Sequence, residues 1–127
     1  MNSTILAPIV IALGAILGAL SRYYLTLVCT QKLGGAFPYG TLIVNLSGAL
    51  LIGFFSTLFH WIEASTYLNF LITVGFLASY TTFSTYELDA FNLLRTGNYK
   101  KALLYWVGSP VLGFLCVKIG IVLAQLK

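Results

Sequence analysis

The residues of this chain best suited to chemistry are neutral. Ser79-Tyr80-Thr81-Thr82-Phe83-Ser84-Thr85 carries six hydroxyls in seven residues, with no carboxylate or ammonium among them. Ser and Thr can hydrogen-bond their own backbone and bend a helix. One reading of the run is a local helix break, tolerated at membrane depth only where it is buried in protein or lines a wet cavity. The freed carbonyls of such a break would suit a small hard cation such as Na⁺. The other reading is a continuous helix whose hydroxyls bond back one turn. Asn45 is a lone amide flanked by Leu and Val, with Thr41 one turn earlier on the same face. It reads either as polar glue between helices or as part of a polar path. Tyr105 and Ser109 stand at i, i+4, followed by Pro110.

These groups share a chemical direction. The Asn amide and the Ser, Thr and Tyr hydroxyls are all hydrogen-bond donors. The ring edges of Phe83 and Tyr86 carry the positive end of the aromatic quadrupole. A path lined by such groups suits a small, strongly hydrated anion, and without a fixed cation beside it the ion can leave again. Enzyme chemistry finds no comparable set. Ser84 has no partner His, the single His60 falls at a helix end, and Glu87 and Asp89 are two apart and diverge on a helix. Cys29 and Cys116 are far apart with no CxxC, which argues against a zinc or redox site. Two basic residues fall within or near apolar stretches. Arg22 and Lys118 either snorkel to the membrane interface or face wet vestibules and draw anions inward.

The elements that must carry these groups are apolar. Of 127 residues, 59% are hydrophobic and 8% charged, where a soluble domain carries about 25% charged residues. So much apolar surface requires lipid around it. Four apolar stretches, about 5–28, 40–59, 69–94 and 102–124, are separated by charged or turn-rich connectors. Each approaches or exceeds the roughly 20 residues that span a bilayer. They are too long, and alternate too little, for barrel strands. The expected fold is therefore an all-α integral membrane protein, one membrane domain over 1–127 with four transmembrane helices. The first stretch is read as a retained helix and not as a cleaved signal. Gly14, Gly18, Gly48, Gly108 and Gly113 are expected to let helices approach closely. Four helices enclose little interior, so a pore would form between subunits or with their help.

At these positions the sequence resembles the Fluc/CrcB family of bacterial fluoride channels, over nearly the whole chain. Gly18-Ala19-Leu20-Ser21-Arg22 resembles the first-helix signature. Pro38 to Gly48 resembles the G-T-x-x-x-N-x-x-G start of helix two, and Gly75 to Thr85 resembles the G-F-x-G-G-x-T-T-F-S-T core of helix three. Gly97-Asn98-Tyr99 matches the turn before helix four. The resemblance implies an antiparallel, dual-topology dimer with two pores, in the bacterial cell membrane. It implies passive exit of cytoplasmic fluoride, which protects against fluoride toxicity. A structural Na⁺ would sit at the dimer centre on the backbone carbonyls of Ala78 and Thr81. Asn45 would be the pore amide, Phe83 and Tyr86 the aromatic pair, and Thr41, Ser84, Tyr105 and Ser109 the polar track. The chain departs from the family pattern with Tyr86 in place of Phe, with Ala78 and Ser79 in place of two glycines, and with Gly113 and Val117 in place of later hydroxyls.

Two other readings compete: a proton-coupled small four-helix exporter, and a non-transporting membrane assembly subunit. The exporter would need a carboxylate inside a span. Basic residues also divide unevenly. Lys32, Arg95, Lys100 and Lys101, with Arg22 nearby, fall on one side of the four-span topology, and Lys127 alone on the other. The positive-inside rule would then put both termini outside. The second subunit is thus expected to be either another copy or a paired homologue of opposite bias.

Overall fold

The computed structural model describes residues 2–126, so Lys127 lies outside the described residues, and all of its regular elements are helical. The elements are α1 (Ser3–Leu33), α2 (Tyr39–Trp61), α3 (Thr66–Asn69), a π-helical stretch (Phe70–Leu77), α4 (Ala78–Tyr80), α5 (Ser84–Arg95) and α6 (Tyr99–Gln125). Helices α1, α2 and α6 are long and apolar enough to cross a membrane. Residues 66–95 are divided into shorter pieces, so no single helix there meets that length.

The boundaries follow local chemistry. Asn2 caps α1 through its side chain, which accepts from the Thr4 N–H at 3.2 Å. That helix runs five residues past Val28, because Thr30 bonds back to the Thr26 carbonyl and the chain turns only at Gly34, with φ +83°. Such a φ favours glycine. The Ser65 hydroxyl accepts from the Leu68 N–H and starts α3. Gly97, also at φ +83°, makes the turn between α5 and α6.

Helix packing rests on backbone contact. A Cβ at Gly14 would run into the Leu71 carbonyl oxygen, and one at Gly18 into that of Phe76. These two glycines let α1 lie directly on the π-helical stretch. Gly53 and Gly120 do the same between α2 and α6, against the carbonyls of Val117 and Leu50. Gly48 leaves room for the Thr81 methyl. Gly108 and Gly113, expected to pack helices, instead face open space within the protomer. Gly108 is turned about 120° around α6 from Gly120, whereas Gly113, seven residues before Gly120, shares its face.

A small core joins α5 to α6. Tyr86, Ala90, Leu93, Ala102 and Tyr105 are buried together, with Phe37 and Leu42 packed against them. Elsewhere large apolar side chains face outward, as Leu17, Leu104 and Phe114 do. That outward apolar surface is what lipid would cover.

Candidate functional site

Between α4 and α5 the helical path is interrupted at residues 81–83, where Thr81 is extended (φ −81°, ψ 159°). An interruption leaves backbone donors and acceptors without helical partners, and in lipid each must find another. Asn45 supplies them. Its Nδ2 donates to the Thr82 carbonyl at 2.8 Å, and its Oδ1 accepts from the Thr82 N–H at 2.8 Å. One side-chain amide thereby substitutes for a backbone neighbour. On the far side of Thr81, the Arg22 Nη1 donates to its carbonyl at 3.3 Å. The Thr81 hydroxyl bonds back to Leu77, and Thr82 Oγ1 donates to Thr85 and accepts from its N–H. The Ser47 and Tyr80 hydroxyls meet at 2.9 Å and tie α2 to α4 just before the interruption.

Three cavities surround this point. The first, about 440 Å³, is lined by Asn45, Gly48, Thr81, Thr82, Phe83, Tyr86, Ser109 and Pro110, and by apolar side chains around them. It contains no charged side chain. The second, about 360 Å³, opens along Arg22, Thr26, Thr30, Thr41, Thr82 and Thr85. The third, about 480 Å³, shares Thr26, Thr30, Thr41 and Thr85 with the second and adds Asp89, Asn92, Thr96, Asn98 and Lys101. Thr82, held by Asn45, lines both the first and the second.

The predicted residues are thus only partly assembled in one place. Asn45, Phe83, Tyr86, Ser109 and Thr81 share the first cavity. Thr41 is buried and lines the other two. Tyr105, one turn before Ser109, does not share its cavity; the Tyr105 ring is buried against Phe37 and Tyr86. Its hydroxyl is buried and faces Thr41 and the Asp89 carboxylate. The Ser109 hydroxyl is buried without a hydrogen-bond partner among the described residues. Ser84 is exposed at the start of α5, 3.5 Å from the Thr82 hydroxyl. Ala78 is exposed on α4. Phe83 and Tyr86 have centroids 5.7 Å apart but opposite environments: Phe83 is 73% exposed and Tyr86 is 6% exposed. Arg22 reaches the interruption, whereas Lys118 stands on the exposed face of α6 with its ammonium 5.6 Å from the Phe114 ring centre. Lys118 lines none of the three cavities.

Sequence reasoning passed over Asp89. Glu87 and Asp89 do diverge, but Asp89 follows Thr85 by four and Tyr86 by three, so it shares their face of α5. That spacing was the available signal.

The family model described as CrcB-like protein, Camphor Resistance (CrcB) matches residues 9–121. The chain belongs to the CrcB-like family. Curated relatives agree with the match. A Synechococcus sp. protein named "Fluoride-specific ion channel FluC" is 48% identical over 99% of this chain and 98% of its own length. One of the same name from Trichormus variabilis is 51% identical over 97% of this chain and 91% of its own. Another from Hydrogenobaculum sp. is 43% identical over 87% of this chain and 90% of its own. With three long apolar helices, this CrcB-like chain is a multi-pass membrane protein.

Proposed function

We infer that the chain is a subunit of a fluoride-selective ion channel and not an enzyme. One observation carries the reading. Asn45 is fixed to the interrupted backbone beside Phe83, Tyr86 and the unpartnered Ser109 hydroxyl, in a cavity with donors and no charge. A small anion needs donors to replace its hydration, and it passes only if no fixed cation traps it. The names of the relatives identify that anion as fluoride. Residues 66–95 act as the third of four spans, bent at the interruption, in the bacterial cell membrane. Fluoride leaves the cytoplasm down its gradient along Asn45, Phe83, Tyr86 and Ser109, with Thr41, Ser84 and Tyr105 as the polar approach. Arg22 faces a vestibule and attracts anions.

Two such subunits pair in antiparallel fashion, as copies or as paired homologues. A structural Na⁺ fits between them. In an unbroken helix the Thr82 N–H would go to the Ala78 carbonyl, but it goes to Asn45 instead. The Ala78 carbonyl is thereby released from its helical donor. The Thr81 carbonyl accepts from Arg22 and has a second lone pair. Both are hard oxygen ligands of the kind Na⁺ takes. When bound, the ion would supply a central positive charge that holds the two interruptions together.

The test is purified protein in liposomes with a fluoride electrode. Electrogenic fluoride efflux without a proton gradient is expected. Efflux strictly dependent on a proton gradient, or none with verified reconstitution of the chain and its antiparallel partner, would overturn the channel reading.

A further inference from the structure

Pro110 lies inside α6 and has no N–H to give the carbonyl four residues back, that of Trp106. In a membrane span that acceptor cannot fall back on bulk water. The Tyr86 hydroxyl donates to it. The Trp106 indole then returns a bond to α5, with Nε1 donating to Glu87 Oε1 at 3.2 Å. Two consecutive α5 residues are thus fastened to one residue of α6. The Tyr86 ring is buried between Phe83 and Tyr105, at centroid distances of 5.7 and 5.4 Å, and lines the same cavity as Asn45 and Ser109.

We propose that Tyr86 is a positioning residue: its hydroxyl stands in for the N–H missing at Pro110, and this latch fixes the Tyr86 ring and the α5 half-helix against α6 at the cavity. A phenylalanine at this position could fill the same space but could not make this bond. Tyr86 and Pro110 therefore form a matched pair in this chain, and each sets the effect of changing the other. In a Pro110→Ala background the restored N–H satisfies the Trp106 carbonyl within α6. The hydroxyl is then no longer needed to hold the helix.

Transport measurements of this pair rest on the channel reading, so a spectroscopic measurement accompanies them. Protein labelled with ¹³C=¹⁸O tryptophan, in a Trp61→Phe background, isolates the Trp106 amide band in the infrared. Tyr86→Phe should move that band to higher frequency, and Pro110→Ala added to Tyr86→Phe should bring it back. In liposomes, Tyr86→Phe should slow fluoride efflux about tenfold, corresponding to roughly 1.4 kcal/mol. Tyr86→Phe/Pro110→Ala should recover to within about threefold of the parent, a coupling expected of groups in one network. A band unmoved by Tyr86→Phe would overturn the latch. So would equal losses of efflux from Tyr86→Phe in the parent and in the Pro110→Ala background, which would mean that the hydroxyl acts on the ion. If Tyr86→Phe alone yields no folded protein, folding restored by Pro110→Ala supports the latch, and failure of both variants overturns it. Absence of efflux from the parent protein would count against the channel, while the infrared band would still decide the latch.

Discussion

Residues 70–80 lean on α1 backbone to backbone, whereas α5 is fastened to α6 through side chains. Before the interruption, Gly14 and Gly18 bring α1 directly onto the carbonyls of Leu71 and Phe76. After it, a Tyr hydroxyl, an indole and a carboxylate make the attachment, over a core of Tyr86, Leu93 and Tyr105. Backbone contact between small residues leaves little freedom, because there is no rotamer to change. Side-chain attachment can be altered one atom at a time. The interruption at residues 81–83 lies between the two regimes, and Asn45 and Arg22 reach it from α2 and α1.

The largest expected effect comes from attacking the glycine contact. Gly18→Val should abolish recovery of folded, monodisperse protein in detergent, since its side chain meets a backbone carbonyl that has nowhere to go. Gly108→Val, in open space, should leave the protomer folded with its melting temperature nearly unchanged. Equal behaviour of the two variants would remove the distinction between the regimes.

Next in size is the bond at the junction. Asn45→Asp keeps an acceptor for the Thr82 N–H but puts an anion against the Thr82 carbonyl and beside the path. Fluoride efflux should fall by at least about tenfold, a loss of roughly 1.4 kcal/mol or more. Phe83→Ile should lower efflux by less while leaving stability intact, because Phe83 is mostly exposed in the protomer. Unchanged efflux in both folded variants would remove these residues from the path.

Arg22→Gln tests the other arm of the junction. If Arg22 draws anions inward, efflux should fall more at low ionic strength than at high. A loss independent of salt would leave Arg22 only its bond to the Thr81 carbonyl. The smallest change is Ser47→Ala, which removes one hydroxyl contact to Tyr80 ahead of the interruption. About 0.5–1.5 kcal/mol of stability should be lost, with efflux retained, as read by thermal unfolding in detergent.

Much of the framework was legible because lipid imposes simple rules. The apolar runs gave α1, α2 and α6, and the hydroxyl run drew attention to the residues around Thr82. The end of α1 was less visible. Its last turn, Thr30 to Lys32, is polar, and hydropathy does not register helix outside the apolar core. The partner of Asn45 was not legible, since it lies 37 residues away and is set by how α2 meets the interruption. Gly108 and Gly113 meet no neighbour within the protomer while Gly53 and Gly120 do, because small residues permit close approach without specifying which neighbour arrives. Asp89 is not legible as a site residue from its own helix, because its neighbours Thr41 and Tyr105 belong to α2 and α6.

The π-helical stretch changes how positions in this span must be counted. A π turn closes on the fifth residue, where an α turn closes on the fourth. Over Phe70–Leu77, successive side chains therefore step around the axis by smaller angles than in α5. A cysteine-labelling scan read with a period of about 3.6 residues would assign faces correctly in α5 and drift out of phase across the π turns. The wide turns also give a lost residue somewhere to go. A single deletion at an end of the stretch, outside the Leu71 and Phe76 contacts with α1, can tighten π into α while Thr82 keeps its place against Asn45. The same deletion between Ser84 and Tyr86 would swing Tyr86 about 100° around its helix, away from Trp106. Length variation ahead of the interruption should accordingly be tolerated only where the contacts of Leu71 and Phe76 with Gly14 and Gly18 are kept.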